Sequence, residues 1–227
     1  MTDFSFQNAL PQDFFARATE KVARDLLGAV LVRRVGDTVL AGRIVETEAY
    51  LAEDDAASHS FRGRTRRNEA MFGAAGTLYV YRIYGIHLCA NIVTEETGRG
   101  AAVLLRALEP LAGIEWMQKQ RGASATNSLC NGPGKLAQAL TFSLSDNGAS
   151  LVQPSLFLLP AESPCEVAIS PRIGISKAAD LPLRFFVAEN RFVSRGKVSR
   201  EINASIEKTE TFLKTDAKTQ PNTCHKR

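Results

Sequence analysis

The chain predicts an α+β fold, in which one curved, mostly antiparallel β-sheet is flanked by helices and a β-hairpin projects from it. Three observations carry this. Many short β-rich runs are interspersed with few, separated helical segments. Two pairs of those runs flank tight turns, as antiparallel neighbours do. The length of 227 residues, with 44% hydrophobic and 23% charged residues, suits one ordinary globular domain rather than a disordered or fibrous chain. The domain is expected over residues 1–195, and the polar, charged stretch 196–227 is expected to be a tail.

The elements follow in order. Phe15, Ala18, Val22 and Leu26 recur at helical spacing, with Gly28 placed as a left-handed cap. The runs AVLVRR and TVLAGRIVETEAY flank a turn at 35–37 and pair as strands. Residues 51–75 have no clean period and form a long loop, acidic at Glu53, Asp54 and Asp55, then basic at Arg62, Arg64, Arg66 and Arg67. Loops of that length in a compact domain are usually functional or disordered. TLYVYRIY, a turn at Gly85 and HLCANIV form the hairpin. AAVLLRAL is a further strand, leading through Pro110, taken as the first helical position, into a helix from Leu111 to about Arg121. CNGPGK turns the chain into a short helix starting at Lys135, and SLFLLP, EVAIS and LRFFV are later strands. In the tail, Ile202, Ile206 and Leu213 allow a weak amphipathic helix, and a frayed end is the alternative.

Composition excludes several classes. No run approaches the roughly 20 apolar residues of a membrane helix. The N-terminus lacks the basic start and apolar stretch of a secretory signal. Cys89, Cys130, Cys165 and Cys224 are far apart with no C-x-x-C pair, which fits free thiols in a reducing, cytoplasmic setting, a bacterial cytosol being the simplest. No His/Cys/Asp/Glu grouping has metal-ligand spacing, so neither metal nor cofactor is expected. P-loop, dinucleotide and nucleophile-elbow motifs are absent. The net charge of +4 is only a mild hint of a polyanionic partner.

Strand alternation places Ile44, Glu46, Glu48 and Tyr50 on one face. Two carboxylates beside a ring are either a solvent-facing polar side or a site. A glycosidase pair would have to face across a sugar, which same-strand neighbours do not, so one working carboxylate is expected. Arg106 interrupts a near-continuous apolar strand, and a buried guanidinium needs an anion. Glu46 and Glu48 are natural partners, either in a structural ion pair or at the floor of a site. All four tyrosines, Tyr50, Tyr79, Tyr81 and Tyr84, fall in one short stretch. Strand aromatics usually belong to the core, but Tyr84 at a hairpin tip beside an arginine-rich loop has no core to join. Arginines for phosphates with aromatics for bases form the footprint of a nucleic-acid binder. Lys135, at a helix start, is a further candidate phosphate contact.

The segments GRIVETEAY, ASHSFRGRTRRNEAMF, GTLYVYRIYGIHLCANIV, VLLRALEP, LCNGPGKLAQAL and PRIGIS…LPLRFF resemble, in order from about Asn8 to about Arg195, the alkyladenine (3-methyladenine) DNA glycosylase family. The resemblance implies a monofunctional base-excision enzyme, acting on double-stranded DNA and hydrolysing the N-glycosidic bond of an alkylated purine; no oligomer signal is visible in the sequence, and a monomer is expected. A deaminated purine is a second candidate substrate. Glu48 would deprotonate the attacking water, Arg106 would hold it, and the main-chain carbonyl of Ile173 would be another water ligand. The flipped base would stack between Tyr50 and His59 on one side and Tyr81 on the other, with Asn91 reading the purine edge. Tyr84 would wedge into the minor groove, and Arg64, Arg67, Tyr79 and Met71 match positions near the DNA. Where the family commonly has T-P-R-N, this chain has Thr65-Arg66-Arg67-Asn68, which frees the loop and adds a charge. No lysine lies between Lys21 and Lys119, so a Schiff-base step is not expected. Two other classes compete: a catalytically silent reader of damaged DNA, and a small-nucleoside hydrolase that would need neither the arginine loop nor an exposed Tyr84.

Overall fold

The structure is a computed structural model that describes residues 4–194; the expectations for the tail lie outside them. Nine strands form one curled sheet with every pairing antiparallel. They are β1 (Val30–Val35), β2 (Thr38–Tyr50), β3 (Leu78–Ile83), β4 (His87–Thr94), β5 (Ala101–Ala112), β6 (Val152–Gln153), β7 (Leu156–Leu159), β8 (Val167–Ser170) and β9 (Arg184–Val187). The path runs β3-β4-β5-β2-β1-β7-β6, and β9 pairs with both β2 and β8. The few helices are short: α1 (Gln12–Phe15), α2 (Thr19–Asp25), α3 (Ile114–Arg121) and α4 (Pro133–Ala139). Their buried residues Phe15, Val22, Met117 and Leu136 meet Ile44, Ala49, Val103 and Leu105 of the sheet in the main core. The fold is α+β.

Three expectations are corrected. The single opening helix is two, because Arg17 Nε donates to the Phe14 carbonyl at 2.7 Å. That carbonyl is the one the Ala18 amide would need in a continuous helix, and Ala18, at φ −49° and ψ 133°, is instead non-helical. Pro110 does not start a helix. It lies within β5 opposite Gly42, beside a register shift, where a strand tolerates a residue without an N–H. The helix begins at Ile114, after Gly113 at φ 72°. The short helix begins at Pro133 rather than Lys135, with proline at the position whose N–H needs no partner.

The feature that positions the site is an irregularity in the middle of β2. The register with β5 shifts on both sides of Glu46, and β2 changes its other neighbour from β1, through Arg43, to β9, from Glu46. A bulge sets two consecutive residues on one face. Ile44 therefore belongs to the main core with Ala49, while Val45 packs on the other side with Ala107 and Phe192. The simple alternation that grouped Ile44 with Glu46 fails at this bulge; beyond it, Glu46, Glu48 and Tyr50 point away from the core.

Candidate active site

Neither glutamate faces solvent, which removes the polar-side reading: both side chains have zero exposure. Each is held by other charges, as buried carboxylates must be. Arg106 lies between them, with Nε 2.9 Å from Glu46 Oε1 and Nη1 3.2 Å from Glu48 Oε1; its Nη2 donates to Ser194 Oγ at 3.3 Å. Glu46 also accepts from Arg184 Nε at 2.7 Å and from the amide and hydroxyl of Ser194 at 2.7 and 2.8 Å. Glu48 has a different set of partners. Its Oε1 accepts the Ile173 amide at 2.7 Å, and its Oε2 accepts the Tyr50 hydroxyl at 3.0 Å.

These partners separate the two acids. Burial pushes Glu46 up, but Arg106 and Arg184 together outweigh it and hold the group below the usual carboxylate range. Burial also pushes Glu48 up. There Arg106, the Ile173 amide and the Tyr50 hydroxyl do not cancel the effect, and nearby Glu46 adds to it. Glu46 is thus the fixed anion and Glu48 the more basic group.

The three partners of Glu48, Tyr50, Arg106 and Ile173, line a cavity of about 440 Å³ together with His59, Tyr81 and Asn91, among others, and Glu48 itself lies behind that lining. Tyr50 is held on both sides of its own chemistry, its hydroxyl on Glu48 and its ring under the Arg172 guanidinium at 4.6 Å. Burial, then Glu48, raises the Tyr50 pKa, so it stays a neutral donor. Burial, then Arg67, lowers that of His59, leaving a neutral imidazole at pH 7. His59 Nδ1 is 2.9 Å from the Tyr79 hydroxyl, and its ring meets Tyr81 edge-on at 4.5 Å. That contact leaves no gap for a third ring between His59 and Tyr81 in this arrangement. Asn91 Nδ2 donates to the Tyr79 carbonyl at 3.1 Å.

The remaining candidates divide. Tyr84, at φ 52°, and Gly85, at φ 74°, form the turn between β3 and β4, and the Ile86 amide returns to the Ile83 carbonyl at 3.3 Å. Two successive left-handed residues are what a type I′ hairpin turn demands. Tyr84 is 80% exposed there, and Ile86 beside it is 76% exposed. Tyr79 and Met71 are buried together in a small cluster against the cavity rather than lying on the outer surface. Burial pushes the Tyr79 hydroxyl up to about 12, keeping it protonated against His59. Arg64 is exposed and paired with Glu69 at 2.7 Å. Arg67 donates to the Arg82 carbonyl at 3.2 Å. Lys135, also exposed, donates to Asn131 at 2.8 Å and lies one residue beyond Gly134, which lines the cavity. Of the Ile173 main chain it is the amide that meets Glu48.

The sequence reading missed a second buried ion pair that frames the site. Asp55 and Arg172, both fully buried, meet in a two-pronged contact at 2.6 and 2.7 Å. Arg172 also donates to the Ala49 and Ala178 carbonyls at 3.0 and 3.2 Å. One guanidinium thus ties the end of β2, the loop bearing His59 and the segment whose Ile173 amide meets Glu48. Arg184 was missed as well, although it interrupts LPLRFFV as Arg106 interrupts AAVLLRAL. The buried-charge argument would have found it. Asp55 gave no such signal, because it ends an acidic run that looks solvated. Among the described residues, no group of three or more His, Cys, Asp or Glu is placed to hold a metal ion, and no helix is long and apolar enough to cross a membrane.

Two buried carboxylates thus lie behind an aromatic-lined cavity, and comparison places the chain among the DNA glycosylases, hydrolases of N-glycosyl bonds. The profile of the methylpurine-DNA glycosylase (MPG) family matches residues 13–191. The chain is 52% identical over 191 residues to a protein of Methanoculleus marisnigri, covering 82% of this chain and 98% of that one. It is 47% identical to a protein of Chlorobium phaeobacteroides, covering 84% and 98%, and 50% identical to one of Nitrosospira multiformis, covering 82% and 93%. All three carry the name "Putative 3-methyladenine DNA glycosylase". The chain belongs to the methylpurine-DNA glycosylase (MPG) family.

Proposed function

We propose that this protein is a monofunctional glycosylase that takes an alkylated purine, 3-methyladenine first among them, out of duplex DNA and hydrolyses its N-glycosidic bond with water activated by Glu48. The observation that carries the reading is the buried Glu48, raised in basicity and held on both oxygens by Ile173, Tyr50 and Arg106, three residues that line the aromatic cavity. The target bond is hidden in a duplex, so the nucleotide must leave the stack at a cost of a few kcal/mol. The exposed Tyr84 is the group that offsets part of that cost by filling the gap.

The chemistry balances with few groups. Water gives its proton to Glu48 while its oxygen bonds to the sugar C1′, and the C1′–N bond breaks with its electron pair going to the purine. A 3- or 7-methylated purine is cationic, so it accepts the pair and leaves neutral without an acid. The same charge suits a pocket of tyrosine faces, where a cation gains roughly 0.5–2 kcal/mol, and neutral His59 adds no repulsion. No lysine lines the cavity, which agrees with hydrolysis rather than an amine-mediated step.

The test is free-base release from methylated duplex DNA, wild type beside Glu48→Gln, with chromatographic identification of the purine. Wild type releases 3-methyladenine, and the variant is slower by about 10²–10⁴ while still binding the lesion duplex. Near-normal release by the variant removes Glu48 as the base. Binding without release by either protein makes the chain a silent reader.

A further inference from the structure

The two faces of the β3–β4 hairpin differ. Tyr79, Tyr81 and Ile83 line the aromatic cavity. Val80 and Arg82, alternating with them, line an open groove of about 670 Å³ with Arg67, Leu144 and Asn147, and Tyr81 and Tyr84 border both the groove and the cavity. From this groove we infer a second DNA contact, in which Arg82 and Arg67 hold a backbone phosphate beside the inserted Tyr84. The inference rests on the proposed function and deepens it.

Arg82 and Arg67 place uncompensated charge on an open edge of the sheet. β3 is the edge strand of the sheet. As far as Val80 that edge is covered: Leu78 donates to the Ala149 carbonyl at 2.7 Å, and Val80 donates to the Asn147 side chain at 3.0 Å. Two residues on, the cover has ended, and the Arg82 amide faces outward by the same alternation. Arg67 is fastened at this point by its bond to the Arg82 carbonyl, and Arg82 itself reaches the Gly85 carbonyl at 3.4 Å. Among the described residues neither arginine has a carboxylate partner. Arg64 and Arg99 are paired, with Glu69 and Glu53, whereas Arg62 and Arg66 of the same loop are, like Arg67, without a carboxylate partner among the described residues.

Two cations tethered to the same few residues, with an outward amide between them, favour an anion with several acceptor oxygens. The apolar wall is equally specific. Leu144 is 49% exposed beside Tyr84, a surface suited to a sugar next to the phosphate rather than to a free ion. A duplex opened at Tyr84 would supply both, with the lesion entering the cavity on one face of the hairpin and the continuing backbone passing along the other.

The experiment measures equilibrium binding of the whole chain to a duplex carrying a stable abasic-site analogue, across added salt, for wild type, Arg82→Gln and Arg67→Gln. Each phosphate contact contributes about 0.9 to the slope of log affinity against log salt. Arg82→Gln should lower the slope by about that amount, so that from about 50 to about 200 mM salt wild type loses roughly threefold more affinity than the variant. Base release at saturating protein should stay unchanged, because Arg82 is outside the cavity. An unchanged slope in Arg82→Gln overturns the inference while leaving the glycosylase reading intact. A wild type that neither binds the duplex nor releases base overturns both.

Discussion

Glu46→Gln isolates the group on which the buried charge network rests. The wild-type carboxylate has zero exposure and accepts from Arg106, from Arg184 and twice from Ser194. Glutamine keeps the volume and one acceptor oxygen but removes the negative charge. Arg106 retains Glu48, whereas Arg184, fully buried, has no other carboxylate partner among the described residues. Leaving one member of a buried pair uncompensated costs about 3–5 kcal/mol. For a domain of this size each kcal/mol moves Tm by about 2–4 °C, so a drop of about 6–20 °C is expected in thermal melts near pH 7. The sign of the pH dependence is fixed too. Glu46 is held below its ordinary 4.5, so its contribution is complete above 4.5 and is lost as pH falls through the folded-state value. The gap between wild type and variant should therefore narrow on acidification. A second consequence reaches catalysis: with Glu46 neutral, Arg106 serves Glu48 alone and the acid limb of base release moves to lower pH. A Tm loss below about 2 °C, or a gap constant down to low pH, would refute the view that this carboxylate balances two buried cations.

Four further outcomes rest on the same geometry. In the proposed mechanism Glu48 works ionised, and burial raises its pKa above 4.5, so single-turnover base release should fail on acidification already above pH 4.5. Tyr50→Phe, which removes a hydrogen bond to the ionised form but keeps the ring, should move that limb up by about one pH unit; a limb that stays put denies the hydroxyl this role. Arg172→Met leaves Asp55 buried without its counter-charge, held only by the Leu51 and Ala57 amides, so it should cost more stability in denaturant melts than Asp55→Asn combined with Arg172→Met, and strictly additive losses would show that the two side chains do not depend on each other. Tyr84→Ala should leave Tm unchanged, because the ring is 80% exposed, yet weaken lesion-duplex binding by about 1–3 kcal/mol; unchanged affinity removes the wedge.

The sequence made some of this architecture visible because certain residue types have few ways to exist in a fold. An arginine in the middle of AAVLLRAL has to find an anion, and the carboxylates two apart on a neighbouring strand were the available ones. The turn at Gly85 was marked by a residue that enters the left-handed region freely. Tyr84 beside it had no core to join, and it is exposed. The signals that failed were those relying on uninterrupted period. Alternation along β2 assumes one residue per step, and the bulge at Val45 and Glu46 breaks it. Helical spacing from Phe15 to Leu26 ignores a side chain competing for a backbone carbonyl, as Arg17 does at Phe14.

The bulge is also where the division of labour between the two glutamates begins. A regular β2 would give Glu46 and Glu48 equivalent surroundings two residues apart on one face. With the bulge, β2 leaves β1 at Arg43 and takes β9 at Glu46, and this brings Arg184 opposite Glu48 in the ladder and within 2.7 Å of Glu46 Oε1. Glu46 thereby gains a second cation, and Glu48 is left sharing Arg106 alone. Two like acids that would otherwise compete for one arginine are driven in opposite directions, one down and one up. Burial raises Glu48, and strand pairing leaves it without the second cation that would cancel the rise. A substitution that straightened β2, with no charge altered, should reduce base release by making the two acids alike.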